Sequence, residues 1–382
     1  MARSYLDHNA TAPVRPEVVD ACARALSLGN PSSVHAEGRA ARAAVEAARA
    51  QVAAFVGAEP KNVIFTSGGT EANNLALSPA LRRTGGPPPT RLLVGATEHA
   101  SVLDGHRFPA NAAEPIPVDG DGVVDLAWLE ARLRDGPALA SIQVANSETG
   151  VIQPVAAAAA LVRAAGGLLH ADAVQAAGRI PLDIATLGAD LVTLSAHKLG
   201  GPKGVGALVV ASDAILLDCL VRGGGQERGQ RGGTENISGI VGFGAAAQAA
   251  GAAVAAEGAR LRALRDACEA AVRRLAPAAV VFGEGAERLS NTLCFAVPGV
   301  KAETALIAFD LAGVAVSSGS ACSSGKVGRS HVLAAMGVPP ALAEGAIRVS
   351  FGWSSAEEDV ARFAAAFEKL LAALYVRRAD AA

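Results

Sequence analysis

The 382-residue sequence lacks any excess of one charge. It carries 34 basic and 36 acidic residues, and no run of basic residues is longer than a pair. A protein surface that binds nucleic acid or an anionic membrane normally shows such an excess. We therefore expect the partners of this protein to be small molecules or other proteins, with no direct binding of nucleic acid and no membrane association.

The sequence also lacks a long uninterrupted apolar segment. Residues 1–7 contain no hydrophobic signal core, and elsewhere Gly, Pro or charged residues interrupt the apolar runs before they reach the length of a membrane span. Residues 242–256 are chiefly alanine and glycine, which favours a close-packed helix over a lipid-facing one. We expect a cytoplasmic protein.

Cysteine is scarce. The five cysteines are an odd number spread over the chain, which is typical of a reduced cytosolic protein and not of a disulfide framework. Four of them lie in helix-like or strand-like runs, where burial as small hydrophobic residues is expected: Cys22, Cys219, Cys268 and Cys294.

Cys322 has a different context. It lies in the run SSGSACSSGK at residues 317–326, which has almost no bulky side chains, and a basic residue, Lys326, follows it closely. Such a run predicts a mobile surface loop, here about residues 317–330, with an exposed thiol. Taken alone, the pattern also fits a flexible linker with an incidental cysteine.

The length and the order of the motifs predict an α/β fold in two domains. Short apolar runs at residues 63–66, 92–94 and 140–144 each lead into a polar or glycine-containing turn. This repetition is what a mainly parallel, doubly wound sheet with one active edge produces. We predict a large α/β domain at residues 12–255, and a smaller α+β domain from residues 1–11 and 256–382.

The most informative segment runs from residue 167 to residue 204. Two patterns in it are typical of buried strands: GLLHA at 167–171 and DLVTL at 190–194. Asp172 follows the first and Lys198 the second, so we expect both at the same sheet edge. A lysine there is partly desolvated and a better nucleophile than a surface lysine, although it could also be a phosphate-binding or structural residue. An acid beside such a lysine points to pyridoxal 5'-phosphate (PLP), which needs both groups.

Two further segments carry polar chemistry. The turn at residues 67–70 lies between a strand and a helix predicted over residues 71–81, so its backbone N–H groups could bind a phosphate. The strand-like run IRVSF at residues 347–351 alternates apolar and polar residues, which predicts a half-buried strand with Arg348 directed into a cleft. An arginine there could grip a carboxylate through two hydrogen bonds, or form a surface ion pair.

Together these motifs resemble the NifS/IscS-type cysteine desulfurases, which are PLP-dependent class-V aminotransferase relatives with the aspartate-aminotransferase-like fold type I. The resemblance spans nearly the whole chain. It rests on residues 5–11, 29–33, 66–74, 97–99, 170–175, 195–198, 223–236, 317–323 and 348–352.

The resemblance implies a role for each site residue. Lys198 would hold PLP as a Schiff base, Asp172 would pair with the ring nitrogen, and Gln175 would bond the ring hydroxyl oxygen. His99 would stack on the ring and move protons. The phosphate would be bound by Gly69, Thr70, Ser195 and His197, with Thr234 supplied by the other subunit of a homodimer.

The same resemblance implies the reaction. Arg348 would hold the carboxylate of the substrate L-cysteine, and Cys322 would attack its sulfur. L-Alanine would leave, and the sulfur would remain as a persulfide on Cys322 until it passes to an acceptor, such as a scaffold protein of iron–sulfur cluster assembly or a tRNA-thiolation protein. Activation of the thiol by Lys326, His99 or the cofactor is a further hypothesis.

The chain departs from the family pattern at two places. Where relatives carry Asn-Asn-Glu, this chain has Asn146, Ser147 and Glu148, and Ser147 reaches less far toward the cofactor than asparagine would. We expect Asn146 to face the other way. The tail after Tyr375 is also shorter than in IscS-type enzymes, so we expect it to engage a scaffold differently.

Other functions fit part of the pattern. A selenocysteine lyase or another PLP enzyme, such as an aminotransferase, could use the same lysine, aspartate and arginine, but neither needs a cysteine in a long Ser/Gly loop. A non-catalytic sulfur carrier or assembly partner could keep the fold without turnover. The presence of Lys198, Asp172, His99, Arg348 and Cys322 together argues against that reading.

Overall fold

The computed structural model describes residues 3–318 and 329–379. Cys322 and Lys326 lie outside the described residues. The helices are α1 Pro16–Ala25, α2 Ala36–Phe55, α3 Gly69–Ala76, α4 Ala100–Leu103, α5 Leu126–Leu133, α6 Val155–Ala164, α7 Ile184–Leu187, α8 Ile237–Leu275, α9 Ala302–Leu311, α10 His331–Ala335, α11 Pro340–Ala343 and α12 Glu357–Ala379.

The strands are mostly short and alternate with the helices in the first two thirds of the chain. They are β1 Ser4–Tyr5, β2 Val63–Thr66, β3 Arg82–Arg83, β4 Leu92–Gly95, β5 Ala113–Ile116, β6 Leu139–Ser141, β7 Leu168–Asp172, β8 Leu191–Ser195, β9 Gly206–Val210, β10 Ile215–Leu216, β11 Val280–Val281, β12 Thr292–Ala296, β13 Val314–Ala315, β14 Ser317–Ser318 and β15 Ile347–Ser350.

A seven-stranded sheet in the order β2-β9-β8-β7-β6-β4-β5 forms the centre of the larger part. The five neighbouring strands from β8 to β5 are parallel, and β9 is antiparallel to both β8 and β2. The predicted α/β class with a mainly parallel sheet is confirmed. Because β7 and β8 are parallel, Asp172 and Ser195 end at the same edge of the sheet, as predicted.

Helices α1, α2 and α8 pack together over this sheet. Alanine, the strongest helix former, dominates α2 and the first half of α8, and small residues let the two helices approach closely. A Cβ added at Gly244 would lie 2.7 Å from the Cα of Ala48, so a larger residue would push the helices apart. By length and composition alone α8 could also cross a membrane, but here it packs against three other helices.

A second sheet, antiparallel and in the order β11-β12-β15-β14, supports the smaller part. Its core is rich in phenylalanine: the rings of Phe309 and Phe363 stack with centroids 5.2 Å apart, and Phe295 packs edge-on against Phe367 at 5.7 Å. Helix α8 contributes to both cores, since Ala250 belongs to the first and Leu261 to the second. The predicted domain boundary at residue 255 stays a prediction.

Several expectations from the sequence are wrong in detail. Strand β15 is fully buried and not half-buried, because Ile347 and Val349 pack in the core of the smaller part while Arg348, on the opposite face, is covered by Asp7 and Ser147. The predicted loop bounds of 317–330 are too wide, since residues 317 and 318 form β14 and Ser330 caps α10.

Helix α3 and two cysteines also differ from expectation. The helix predicted at residues 71–81 ends at Ala76, because Pro79 disfavours a helical conformation at the preceding residue. Of the four cysteines expected to be buried, Cys268 and Cys294 are, whereas Cys22 and Cys219 are only partly buried.

Candidate active site

The carboxyl ends of β7 and β8 open into a cavity of about 200 Å³. The residues around it come from these two strand ends, the start of α3, and the turns that follow β4 and β6. Its lining comprises Gly69, Thr70, Asn73, His99, Ser101, Gln143, Ala145, Ser147, Asp172, Val174, Gln175, Ser195, His197 and Lys198. Most residues predicted from the sequence to form the site are therefore brought together.

Three predicted residues do not line this cavity. Thr234 is exposed and borders a separate cavity of about 150 Å³ together with Ser67 and Arg231. Arg348 lies buried in β15 of the smaller part. Cys322 lies outside the described residues.

Two donors fix the orientation of the Asp172 carboxylate. The backbone N–H of Val174 donates to Oδ1 at 2.9 Å, and Asn73 Nδ2 donates to Oδ2 at 2.8 Å. Asn73 was not predicted as a site residue. Its spacing could have predicted a place in the site. Asn73 is four residues after Gly69, so it lies on the same face of α3 and faces the sheet edge.

Lys198 lies in the short 3₁₀ turn that follows β8. Its Nζ donates to the carbonyl oxygens of Asn9 at 2.5 Å and Ala10 at 2.9 Å. The Asn9 side chain in turn donates to the carbonyl oxygen of Ser147 at 3.1 Å. The segment before α1 thus forms one wall of the site, although Asn9 was not predicted as a site residue.

His99 caps α4 and is linked to Asp172 through two side chains. Its Nδ1 accepts from the Ser101 N–H at 3.1 Å and lies 2.7 Å from Ser101 Oγ. Ser101 Oγ also accepts from Asn73 Nδ2 at 2.8 Å. Because Nδ1 accepts a backbone hydrogen bond, the proton of the neutral imidazole lies on Nε2.

The start of α3 has the form of a phosphate cradle. A Cβ at Gly69 would lie 2.9 Å from Val174 Cγ2, so glycine keeps the space in front of the helix open. The first N–H groups of α3 and the helix dipole favour an anion there. Nearby, the pKa of His197 falls to about 4 through burial first and the cations of Lys198 and Lys203 second, so this ring is neutral at pH 7.

Glu98 lies directly behind the cavity and was not predicted as a site residue. Its side chain is fully buried, and neither carboxyl oxygen has a hydrogen-bond partner among the described residues. Burial, and secondly the charge of Asp172, raise its pKa well above the usual value. The raised pKa favours the neutral form of Glu98, which reduces the negative charge that Asp172 faces.

Arg348 is only 1 % exposed and reaches the site from the smaller part. Its Nη2 donates to Asp7 Oδ1 at 2.8 Å, and its Nη1 donates to the carbonyl oxygen of Ser147 at 3.1 Å. The guanidinium is thus next to the cavity wall and already holds one carboxylate. A substrate carboxylate would have to compete with Asp7 for this arginine.

The Asn-Ser-Glu departure can be followed in atomic detail. Ser147 lines the cavity. Asn146 is turned away, because its Nδ2 donates to Thr97 O at 3.0 Å and its Oδ1 accepts from the N–H groups of Glu148 and Thr149. Contact between Ser147 and a cofactor stays a prediction.

Comparison with known proteins gives the family. The chain matches the aminotransferase class-V family over residues 4–363. It belongs to this family. A cysteine desulfurase of Cereibacter sphaeroides is 43% identical over 94% of this chain and 93% of its own length, and the cysteine desulfurase IscS of Dictyoglomus turgidum is 40% identical over 93% and 91%. The crystal structure of a NifS-like protein from Rickettsia africae superposes with a TM-score of 0.88 at 34% identity, covering 97% of this chain and 99% of that one.

The class-V aminotransferase family uses PLP, and the residues of this cavity fit that group. Gly69 leaves the helix start accessible to a phosphate, Asp172 is held in one orientation, and the amine of Lys198 lies at the opposite wall. Residues that would hold the cofactor are therefore Lys198 for its aldehyde carbon, Asp172 for its ring nitrogen and the start of α3 for its phosphate.

Proposed function

We propose that this protein is a PLP-dependent cysteine desulfurase that converts L-cysteine to L-alanine and retains the sulfur as a persulfide on Cys322. The observation that carries the proposal is the meeting of Lys198 and Asp172 at one cavity in a chain whose relatives are named cysteine desulfurases. When bound, PLP supplies an electron sink for the charge that develops on the substrate.

The residues of this chain supply binding and proton transfer. Lys198 holds the cofactor and takes up or returns a proton at Nζ, and Asp172 keeps the proton on the ring nitrogen. Arg348 binds the substrate carboxylate through the guanidinium arm that contacts Asp7 in this structure. His99 lines the cavity, where its Nε2 N–H can donate a hydrogen bond and, when the ring is protonated, can transfer a proton.

Sulfur transfer is assigned to Cys322. A bond forms between the Cys322 sulfur and the substrate sulfur while the Cβ–S bond of the substrate breaks, and its electron pair stays with the carbon. That carbon takes up a proton and leaves as alanine. The nucleophile must be the thiolate, and because a free cysteine has a pKa of about 8.5, its attack requires loss of the thiol proton near neutral pH.

The deciding experiment measures alanine and enzyme-bound persulfide after PLP-loaded protein is mixed with L-cysteine and a reducing thiol. We expect alanine to accumulate and the persulfide to map to Cys322. The Cys322→Ser variant should lose both products but keep its visible absorbance, whereas Cys219→Ser should behave as the wild type.

Two results would contradict the proposal. Alanine formation by Cys322→Ser would remove this thiol from the mechanism. A PLP-loaded wild type that turns over selenocysteine or another amino acid, but not L-cysteine, would indicate a selenocysteine lyase or another PLP enzyme.

Partners and location extend the proposal. We propose a homodimer in which Thr234 completes the phosphate site of the other subunit, supported by its exposure and by its position at a different cavity within its own chain. We propose a cytoplasmic protein that passes sulfur to an acceptor protein, such as an iron–sulfur scaffold. Light scattering tests the dimer, and sulfur transfer from Cys322 to a purified scaffold tests the acceptor.

A further inference from the structure

Arg179 is a buried cation without an anionic partner among the described residues. It is 7% exposed and lies in the turn that follows β7, four residues after Gln175. The other deeply buried arginines at comparable depth have carboxylate partners: Arg49 pairs with Glu227 at 2.7 Å, and Arg348 pairs with Asp7. Burial, and secondly the nearby cation of Arg348, lower the pKa of Arg179 to about 9.

Carbonyl groups take the place of the missing anion. Arg179 Nη1 donates to Gln175 Oε1 at 2.5 Å and to the backbone carbonyl of Gln175, and Nη2 donates to the carbonyl oxygen of His8 at 3.3 Å. Neutral acceptors stabilise a buried cation less than a carboxylate does. The position of Arg179 is therefore costly for stability, which points to a role at the site.

That role follows from the hydrogen-bonding capacity of arginine. The two ends of a glutamine amide are nearly identical in shape, and their assignment depends on the neighbours. A guanidinium can only donate, so it fixes Oε1 of Gln175 on its own side. The amide nitrogen of Gln175 is thereby directed away from Arg179, and Gln175 lines the cavity.

The same arrangement connects Gln175 to Lys198. Gln175 Nε2 donates one hydrogen to the carbonyl oxygen of Asn9 at 3.1 Å, and Lys198 Nζ donates to the same oxygen. The amide nitrogen carries a second hydrogen, which remains for a ligand in the cavity. Gln175 can therefore act toward a ligand only as a donor.

We propose that Arg179 is a positioning residue that holds Gln175 as a hydrogen-bond donor toward the ring hydroxyl oxygen of bound PLP. A donor at this oxygen stabilises its ionised form and so lowers the pH at which the bound chromophore loses its proton. The inference rests on the PLP-binding part of the proposed function and is independent of the amino-acid substrate.

The test is a titration of the visible absorbance of PLP-bound protein between about pH 5.5 and pH 9.5, without substrate. We compare the wild type with Arg179→Gln, Gln175→Leu and the double variant. A hydrogen bond to a charged group is worth roughly one to two pH units, so each single variant should raise the apparent pKa of the chromophore by about that amount. The double variant should show no larger shift than either single variant.

Charged and titratable groups face Arg179 and Gln175 from several elements. His99, Asp172, His197 and Lys198 line the cavity, and Glu98 is close enough to Asp172 to respond to its charge. His8, Arg15 and Glu257 border Arg179 from its other side, and Arg348 is a further cation that acts on it. A direct effect of the Arg179 charge on these groups would persist without Gln175. Additive shifts in the double variant would therefore overturn the proposal, as would an unchanged pKa in Arg179→Gln.

Two further variants serve as controls for this titration. Arg179→Lys keeps the charge and can also only donate, so the chromophore pKa should stay near the wild-type value, and a shift as large as that of Gln175→Leu would count against the proposal even if Arg179→Gln fails to fold. Arg265→Gln removes another buried arginine, bonded to Leu289 O at 3.0 Å, and should leave the chromophore unchanged. A wild type that binds no PLP would contradict the proposed function itself, and this inference with it.

Discussion

Lys198 and Arg348 place two positive charges at one site from two differently built sheets. Lys198 follows the end of β8 in the seven-stranded sheet, where parallel strands are covered on both faces and only their ends reach the cavity. Arg348 lies in the middle of β15 in the four-stranded antiparallel sheet, between the buried residues Ile347 and Val349.

The difference lies in how each charge is accommodated. Lys198 reaches the cavity from a strand end and donates to the backbone carbonyls of Asn9 and Ala10. Arg348 is almost fully buried and needs the Asp7 carboxylate as a partner. A ligand carboxylate that binds the mid-strand Arg348 must therefore compete with a counter-ion that is already in place.

The largest effect on activity is expected from substitution of Lys198, which follows the end of β8. Lys198→Ala removes both the covalent attachment point of PLP and a proton carrier, so alanine formation should fall by roughly 10³-fold or more, and the absorbance of the attached cofactor should disappear. Both are measured on gel-filtered protein. The control is Lys203→Ala, an exposed lysine five residues away, which should retain both properties. Covalently bound PLP in Lys198→Ala would remove Lys198 from its assigned role.

Substitution of the buried Arg348 should reduce activity less. Arg348→Lys keeps the charge but loses the paired donors, which are worth about 1.5–3 kcal/mol when they bind a charged group, so kcat/KM should fall by about 10- to 150-fold. The loss should appear mainly in KM, with the cofactor absorbance unchanged. Steady-state kinetics decide this, with Arg362→Lys on α12 as the matched control. A fall confined to kcat would show that Arg348 does not act by binding the substrate carboxylate.

The smallest expected effect is on the pH dependence of stability, and it follows from a difference between the carboxyl groups of Asp7 and Glu98. Asp7 has a cation as its partner, whereas the buried Glu98 has no hydrogen-bond partner among the described residues and a raised pKa. Above the pKa of an unfolded glutamate the folded chain keeps a proton that the unfolded chain has lost. The free energy of unfolding should therefore fall by about 1.4 kcal/mol per pH unit as pH rises, until the folded pKa is reached.

Denaturant unfolding of the wild type and Glu98→Gln at a series of pH values measures this contribution. Glutamine cannot ionise, so the variant should lose this part of the pH dependence and gain stability relative to the wild type as pH rises. Glu303→Gln on α9, an exposed glutamate, should follow the wild type. Parallel curves for the wild type and Glu98→Gln would show that Glu98 is ionised in the folded protein.

Much of the large sheet and its site follows from local sequence pattern. The apolar runs before Asp172 and Ser195 predict buried strands, and Gly69 marks the turn before α3, because these features depend on neighbouring residues only. Asn9 and Arg179 were missed. Neither stands next in sequence to Lys198 or Asp172, and folding brings Asn9 to Lys198 and His8 to Arg179.

The sequence by itself determined the α/β class, the strands that carry Asp172 and Lys198, and the glycine turn at the start of α3, since hydrophobic periodicity and turn chemistry are local properties. Only the tertiary structure decided that the pKa of Glu98 is raised, that Asp7 holds Arg348, and that Arg179 lies between Gln175 and His8. Ionisation and hydrogen-bond direction depend on burial and on partners such as Asp7 and Arg348, which are far apart in the chain and become neighbours only when it folds.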